Sequence, residues 1–326
     1  MAEITLVEAV NLALARAMAE DENVVVFGED VGVNGGVFRA TVGLQARFGA
    51  ERVLDTPLNE AMIAGIAIGM AAQGLRPVAE IQFTGFIYPT IDQIINHAGR
   101  LRNRTRGRLS CPMVLRSPMG GGIHAPEHHS ESPEALFTHM PGIRVVIPSS
   151  PARAYGLLLA AIRDPDPVIF LEPTRLYRAL KEEVEDSGEA LPLDVCYPLR
   201  EGHDVTLVSW GAMVRDALAA ADELAGQGIA AEVIDVATLK PLDMGTILAS
   251  VEKTGRCVIV HEAPLTSGFG AEIAAQLAEQ GLLFLLAPVR RVAGYDTVIP
   301  LARLEHAYLP NAARIVAEVR SLMEYA

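Results

Sequence analysis

Cysteine is scarce in this sequence, and its copies lie far apart. Three occur in 326 residues, Cys111, Cys196 and Cys257, and no two of them have the CxxC spacing. A disulfide framework needs several paired cysteines, and a cysteine zinc site needs closely spaced pairs. The sequence therefore argues against both and predicts a protein of the reducing cytoplasm.

Basic residues are fewer than acidic ones, and long apolar runs are missing from the sequence. The 27 Lys and Arg residues face 40 Asp and Glu residues, which gives a formal net charge of -13. No apolar run reaches the roughly 18 residues of a membrane span. Glu3 and Glu8 stand where a signal peptide has a basic and then an apolar region. We therefore expect neither nucleic acid nor membrane among the partners.

The usual nucleotide-binding motifs are incomplete. Gly32, Gly35 and Gly36 do not have the spacing of a dinucleotide-binding loop, and GFGAEI at 268–273 matches only its first half. No GxxxxGK[ST] segment is present in the sequence. These patterns argue against a nicotinamide cofactor and against a P-loop.

Hydrophobic sequence is abundant, at 50% of the residues. A chain of this length predicts two domains. Short apolar segments such as VVVF and PVAEIQF alternate with helical ones, which predicts an α/β fold with largely parallel sheets covered by helices. The acidic segment between Tyr177 and Leu199 lacks apolar periodicity and is typical of a surface linker. We therefore predict domains at 1–188 and 189–326.

Two helices are marked clearly. The first has one apolar face and ends before Asn23. That face consists of Leu6, Ala9, Val10, Ala13, Leu14 and Ala17. The second lies in DTPLNEAMIAGIAIGMAAQGLRP, where Asp55 or Thr56 is the predicted N-cap and small residues predict deep burial. Glu60 falls in its first turn, where it either compensates the helix dipole or holds a ligand.

Three histidines lie in GGGIHAPEHHSES, from Gly120 to Ser132. They allow a metal site, a catalytic histidine or an ordinary polar loop. His128 and His129 are adjacent, so on a strand they would point to opposite sides and share one ion poorly. His124 remains possible as a ligand. Local sequence alone leaves the three interpretations open.

Five segments together resemble a known family. They are GEDVGVNGGVFRATVGL, DTPLNEAMIAGIAIGMAAQGLRPVAEIQF, YPTIDQI, RSPMGGGIHAPEHHSESPEALF and PGIRVVIPSSPARAYGLLLAAIRDPDPVIFLEP. This pattern resembles the beta subunits of thiamine-diphosphate-dependent 2-oxo acid dehydrogenases, in the pyruvate and branched-chain complexes. The resemblance implies a pyrimidine-binding domain, a transketolase-type C-terminal domain, and an assembly of two alpha and two beta chains. The family's GDG pattern for magnesium and diphosphate is missing, which implies that an alpha subunit holds both.

The resemblance also implies roles for individual residues. Glu60 would hydrogen-bond a ring nitrogen of the cofactor's aminopyrimidine, and His129 would transfer protons near Ser130 and Glu131, with Glu131 stabilising its cationic form. Residues implied to line the cofactor are Glu29, Leu58, Asn59, Glu60, Gln82 and Phe86. Those implied to line the substrate channel are Phe83, Thr84, Gly85, Phe86 and His129. A structural potassium site would involve Met113, Ala161, Ile162, Asp164 and Asp166.

The sequence indicates the substrate less clearly than it indicates the family. HHSESPEALF and EPTRLYR resemble branched-chain enzymes, whereas GEDVGVNGGVFRAT and GGGIHAPEHHSES resemble pyruvate enzymes equally well. We expect a branched-chain 2-oxo acid slightly more than pyruvate, with an acetoin enzyme as a further alternative. The acyl group would pass to the lipoyl group of a dihydrolipoyl acyltransferase, whose peripheral domain would dock on this chain. Half of a transketolase or deoxyxylulose-phosphate synthase is a more remote alternative.

Overall fold

The computed structural model describes residues 2–325, in which strands and helices alternate. The strands are β1 (Ala2–Thr5), β2 (Val24–Gly28), β3 (Val53–Asp55), β4 (Arg76–Glu80), β5 (Val114–Met119), β6 (Arg144–Val146), β7 (Val168–Pro173), β8 (Lys181–Val184), β9 (Tyr197–Arg200), β10 (Val205–Ser209), β11 (Ala231–Asp235), β12 (Thr238–Lys240), β13 (Cys257–Pro264) and β14 (Arg290–Gly294). The helices are α1 (Leu6–Glu20), α2 (Leu44–Phe48), α3 (Glu60–Ala72), α4 (Ile91–Asn96), α5 (Leu101–Arg104), α6 (Glu134–Thr138), α7 (Pro151–Arg163), α8 (Met213–Ala225), α9 (Met244–Thr254), α10 (Gly270–Gln280), α11 (Ala302–Tyr308) and α12 (Ala312–Met323).

The first sheet has the strand order β12-β6-β7-β5-β4-β2-β3. Its neighbours from β6 to β3 pair in parallel, and β12 pairs antiparallel with β6. Every residue of β2, β5 and β7 is buried. Strands covered on both faces need apolar side chains at successive positions, which explains why they appear as continuous apolar runs.

The second sheet has the order β14-β13-β10-β11-β9, with β9 antiparallel and the others parallel. Together the two sheets confirm the predicted α/β class. Strand β12 follows β11 in sequence but joins the first sheet, so the two halves share backbone hydrogen bonds. The boundary after residue 188 stays a prediction. Among residues 2–325, no helix is both long and apolar enough to cross a membrane.

The segment expected to be a surface linker contains a strand. Lys181–Val184 forms β8 and pairs antiparallel with β1, with Thr5 opposite Lys181. The predicted surface linker therefore includes a paired strand, which its sequence pattern did not indicate. Most side chains of β8 lie outside the core, so the strand has no apolar alternation to reveal it. Backbone pairing with a distant part of the chain forms it instead.

The first helix is confirmed. All six residues of its predicted apolar face are buried, and the helix lies against α7. At its start, the backbone N–H of Thr5 donates to the Glu8 carboxylate at 2.8 Å. The helix ends at Glu20, and strand β2 begins at Val24, as the sequence indicated.

Helix α3 differs from its prediction in two ways. Its N-cap is Asn59, whose side chain accepts from the Met62 backbone N–H at 2.9 Å. Asp55 is not the cap, because it ends β3 and its carboxylate accepts from the Gly32 N–H at 2.7 Å. The predicted deep burial is found in this chain on one side of the helix only. Ile66 is 38% exposed, so one apolar side of this helix faces outward.

Candidate active site

The candidate site begins where β2 and β4 end. These strands pair in parallel with Gly28 opposite Glu80, so the residues that follow them meet at the carboxyl edge of the sheet. Open α/β sheets bind ligands at this edge. Here the Gln82 side-chain amide donates to the Glu29 backbone carbonyl at 3.5 Å. The fold therefore brings together two residues that the sequence placed in the cofactor site.

Two carboxyl groups, Glu29 and Glu60, lie close enough to interact. Glu29 is 6% exposed, and its Oε1 atom has no hydrogen-bond partner in the part of the chain that the structure describes. Burial, and then the charge of Glu60, raises the pKa of Glu29. A buried carboxyl oxygen without a partner is costly, and an N–H group of a ligand would satisfy it. The pair therefore fits a nitrogen heterocycle such as an aminopyrimidine.

Leu58 and Asn59 connect this carboxyl pair to helix α3. The Asn59 side chain caps the helix, which places Glu60 at the first helical position. Leu58 is 80% exposed. Asn59 is therefore a structural cap in this chain, while Leu58 is free to contact a ligand or a neighbouring subunit.

An aromatic and imidazole cluster begins at Phe83, the residue after Gln82. The ring of His129 lies 4.1 Å from that of Phe83 and 5.3 Å from that of Phe86, measured between centroids. The residues 84–86 form a single 3-10 turn. A side chain at Gly85 would place its Cβ 1.7 Å from the His128 carbonyl oxygen, so only glycine fits there. The predicted channel residues are thus brought together around His129.

The surroundings of His129 favour its neutral form. Burial, and then the neighbouring His128, lowers the pKa of His129, while Glu127 opposes this shift. Its buried Nδ1 atom has no partner among the described residues. The carboxylate that favours the cation is thus Glu127, and the expectation that Glu131 does so is wrong. Glu131 instead accepts from the Tyr88 hydroxyl at 3.1 Å.

The three histidines do not converge on one point. His124 Nε2 lies 3.7 Å from a carboxylate oxygen of Glu305, whereas His128 and His129 contact each other at 4.2 Å between centroids. Among residues 2–325, no group of three or more His, Cys, Asp or Glu side chains could hold a metal ion. The geometry favours a catalytic histidine over a metal site in this loop.

A buried ion pair network joins three strands next to the site, and no local sequence pattern indicates it. Arg116 on β5 donates two hydrogen bonds of 2.7 Å to Glu172 on β7 and also pairs with Glu80 on β4. The Tyr177 hydroxyl donates to Glu172 at 2.6 Å. Each charge is buried but paired, which is the condition for tolerating it. The network joins β4, β5 and β7, and the first two of these strands lead into the site.

The positions predicted for potassium lie near several arginines. A guanidinium nitrogen of Arg76 donates to the Ile162 carbonyl at 2.9 Å and to the Asp164 carbonyl at 3.4 Å. The Asp166 carboxylate pairs with Arg102 at 2.7 Å. The Met113 carbonyl accepts from a strand N–H at 2.9 Å. Arginine or backbone N–H groups already donate to these oxygens, so the arrangement does not favour an added ion, and potassium stays a prediction.

Comparison with protein families defines the class. The transketolase pyrimidine-binding domain matches residues 2–179, and the transketolase C-terminal domain matches residues 196–315. A split-gene transketolase, solved as an inactive beta4 tetramer, superposes with a TM-score of 0.82 at 25% identity over 99% of each chain. A transketolase from Pichia stipitis gives a TM-score of 0.72 at 14% identity, over 99% of this chain and 46% of that one. The chain therefore has the two-domain transketolase-type architecture.

Relatives that match almost the whole chain identify the family more narrowly than the two domain matches do. The pyruvate dehydrogenase E1 component subunit beta of Bacillus subtilis (strain 168) is 49% identical over 325 residues, covering 100% of both chains. The protein of that name from Acholeplasma laidlawii is 50% identical over 322 residues, covering 99% of this chain and 98% of that one. This chain belongs to the family of beta subunits of the thiamine-diphosphate-dependent 2-oxo acid dehydrogenase first component.

Proposed function

We propose that this chain is the beta subunit of an enzyme that oxidatively decarboxylates pyruvate and passes the acyl group to a lipoyl group. The observation that carries the proposal is the Glu29 and Glu60 carboxyl pair, with its unpartnered buried oxygen, at the sheet edge. Gln82, which donates to the Glu29 carbonyl, precedes Phe83, whose ring contacts His129. The relatives named above carry the pyruvate dehydrogenase name and support this assignment.

Thiamine diphosphate, when bound, supplies the electron sink for decarboxylation. In this proposal Glu60 accepts a hydrogen bond from the aminopyrimidine, and Glu29, Gln82 and Phe86 enclose that ring. Neutral His129 accepts and returns protons during acyl transfer, a task suited to an imidazole that titrates near neutral pH. Phe83 limits water around the imidazole through its ring contact at 4.1 Å.

The site is incomplete in this chain, and helix α3 indicates where the missing part attaches. Met62, Ile66 and Gly69 form an apolar stripe on the side of α3 that lies outside the core. Exposed apolar stripes of this kind mark protein contacts. We propose that an alpha subunit covers it in an assembly of two alpha and two beta chains, and that this subunit holds magnesium and the diphosphate. The complex is expected in the cytoplasm.

Replacing Ile66 with Asp should weaken this assembly at least about tenfold, because one buried charge without a partner costs well over 1.4 kcal/mol. The dissociation constant of the co-purified subunits, measured by sedimentation, is the test. Leu283→Asp is the matched control, since Leu283 is 96% exposed in the C-terminal half and far from α3 in sequence. Equal effects of the two substitutions would contradict the proposed contact.

The substrate assignment differs from the slight preference that the sequence suggested. Branched-chain specificity has no support from the relatives, whose names favour pyruvate. The complex with its alpha subunit, thiamine diphosphate and magnesium should therefore act on pyruvate with a kcat/KM at least roughly tenfold above that for 3-methyl-2-oxobutanoate, the size of effect that one or two methylene groups give. The isolated beta chain should be inactive. A preference for the branched substrate would overturn the pyruvate assignment.

Two further arms complete this experiment. Xylulose 5-phosphate tests the transketolase alternative, because a split-gene transketolase shares the fold. We expect no turnover, since Phe83 and Phe86 rather than basic side chains surround His129.

A lipoyl domain tests acyl transfer. Docking of a basic acyltransferase domain on this acidic chain should weaken as salt rises.

A further inference from the structure

The loop that carries His129 is held from the C-terminal half of the chain. We define the histidine loop as residues 120–132, and it runs between strand β5 and helix α6. Glu305, on helix α11, is 2% exposed. One of its carboxylate oxygens accepts from the Gly122 backbone N–H at 2.6 Å, and the other accepts from the His124 N–H at 3.1 Å. Both oxygens of one buried carboxylate are therefore committed to the backbone of this loop.

This contact explains part of the glycine run of the loop. Gly122 has a φ of +92°, and His124 has a φ of +60°, so the backbone turns its N–H groups toward a common point. Successive N–H groups in such a turn form a concave site for an anion, and Glu305 fills it. A Cβ at Gly121 would lie 2.7 Å from the Ile299 side chain and 3.3 Å from a Glu305 oxygen. The C-terminal half thus approaches too closely for a larger residue.

The other end of the histidine loop is held by the pyrimidine-binding half. The Thr84 hydroxyl donates to the Glu131 carbonyl at 2.9 Å, and the Tyr88 hydroxyl reaches the Glu131 carboxylate at 3.1 Å. Between the two anchors, the His129 N–H donates to the Pro126 carbonyl at 2.9 Å. His129 therefore lies on a short segment that is fixed on one side by Glu305 and on the other by residues of the substrate channel.

We propose that Glu305 is a positioning residue for His129: its carboxylate fixes the histidine loop and thereby sets the place of the imidazole during acyl transfer. This inference rests on the function proposed above. Glu305 lies on a helix of the C-terminal half, and its carboxylate hydrogen-bonds the loop backbone and lies near the His124 ring. We therefore infer that its effect on chemistry passes through the loop.

Glu305→Gln tests this role in the complex with the alpha subunit. The amide has the same shape, but its NH2 group would face an N–H that needs an acceptor. Transfer of the acyl group from pyruvate to a lipoyl domain should fall roughly 10-fold to 100-fold in kcat with little change in KM for pyruvate, since small displacements of a reacting group have effects of that size. Decarboxylation measured with an artificial electron acceptor should stay within about twofold.

Amide hydrogen exchange supplies a readout that does not need activity. Exchange in the peptide containing Gly122 and His124 should be faster in Glu305→Gln than in wild type. Glu318→Gln is the matched control, because Glu318 lies on α12 in the same half and pairs with Arg290 instead of the loop. If Glu305→Gln does not fold, Glu305→Asp replaces it, because the shorter carboxylate cannot reach both N–H groups.

The outcomes separate the two proposals. Faster loop exchange together with slower acyl transfer supports the positioning role. Unchanged exchange overturns it, and so does faster exchange with a normal transfer rate. A wild-type complex that does not act on any 2-oxo acid would instead overturn the proposed function, while the exchange result would still decide whether Glu305 holds the loop.

Discussion

Glu60→Gln should lower the rate of pyruvate decarboxylation roughly 100-fold to 10,000-fold, the usual contribution of a group that acts in proton transfer. A glutamine at this position keeps the shape of the side chain but cannot hold a ring nitrogen as a carboxylate does. The loss should appear with an artificial electron acceptor as well as with a lipoyl domain. The rate of each reaction in the complex with its alpha subunit is the measurement.

The same substitution changes the charge that acts on Glu29. Since the Glu60 charge contributes to the raised pKa of Glu29, its removal should bring that pKa closer to the ordinary range. The protein should still fold and assemble, because Glu60 is only partly buried. Glu51→Gln is the matched control, as Glu51 is exposed before β3 and thus at the opposite end of that strand from the site. Full activity in Glu60→Gln would contradict the assignment.

Much of the scaffold could be predicted because its signals are local. The apolar face of α1 and the fully buried strands leave periodic or continuous apolar patterns in the sequence. The family resemblance placed Glu29 and Gln82 in the cofactor site, and in the structure they follow two neighbouring parallel strands. These elements depend on residues close together in the chain.

The missed features depend on residues far apart. Glu305 reaches Gly122 across 183 positions, and no pattern near either residue indicates the contact. The Arg116 network joins three strands in the same way. The cap of α3 was misplaced because Asp55, a good cap residue by type, is used by the Gly32 N–H instead. Which of several possible hydrogen-bond partners a residue contacts depends on the three-dimensional structure. The sequence alone identifies only the candidates.

His129→Ala should lower the rate of acyl transfer to a lipoyl domain roughly 100-fold to 10,000-fold. The rate of decarboxylation with an artificial electron acceptor should fall much less. Stopped-flow measurement of the two half-reactions separates these effects. In wild type, transfer should decline only as the pH falls below the ordinary imidazole value of 6.5, because the pKa of His129 is lowered and its neutral form persists.

His128→Ala is the matched control, since it removes the adjacent imidazole from the same loop but not the proposed proton acceptor. Its plateau rate should stay within about threefold of wild type, because His128 is exposed and has only ring contacts with its neighbours. Because His128 contributes to the lowered pKa of His129, the acid limb of the transfer profile should move to higher pH in this variant. If both substitutions reduce transfer equally, or if His129→Ala leaves it intact, the proton-transfer role does not belong to His129.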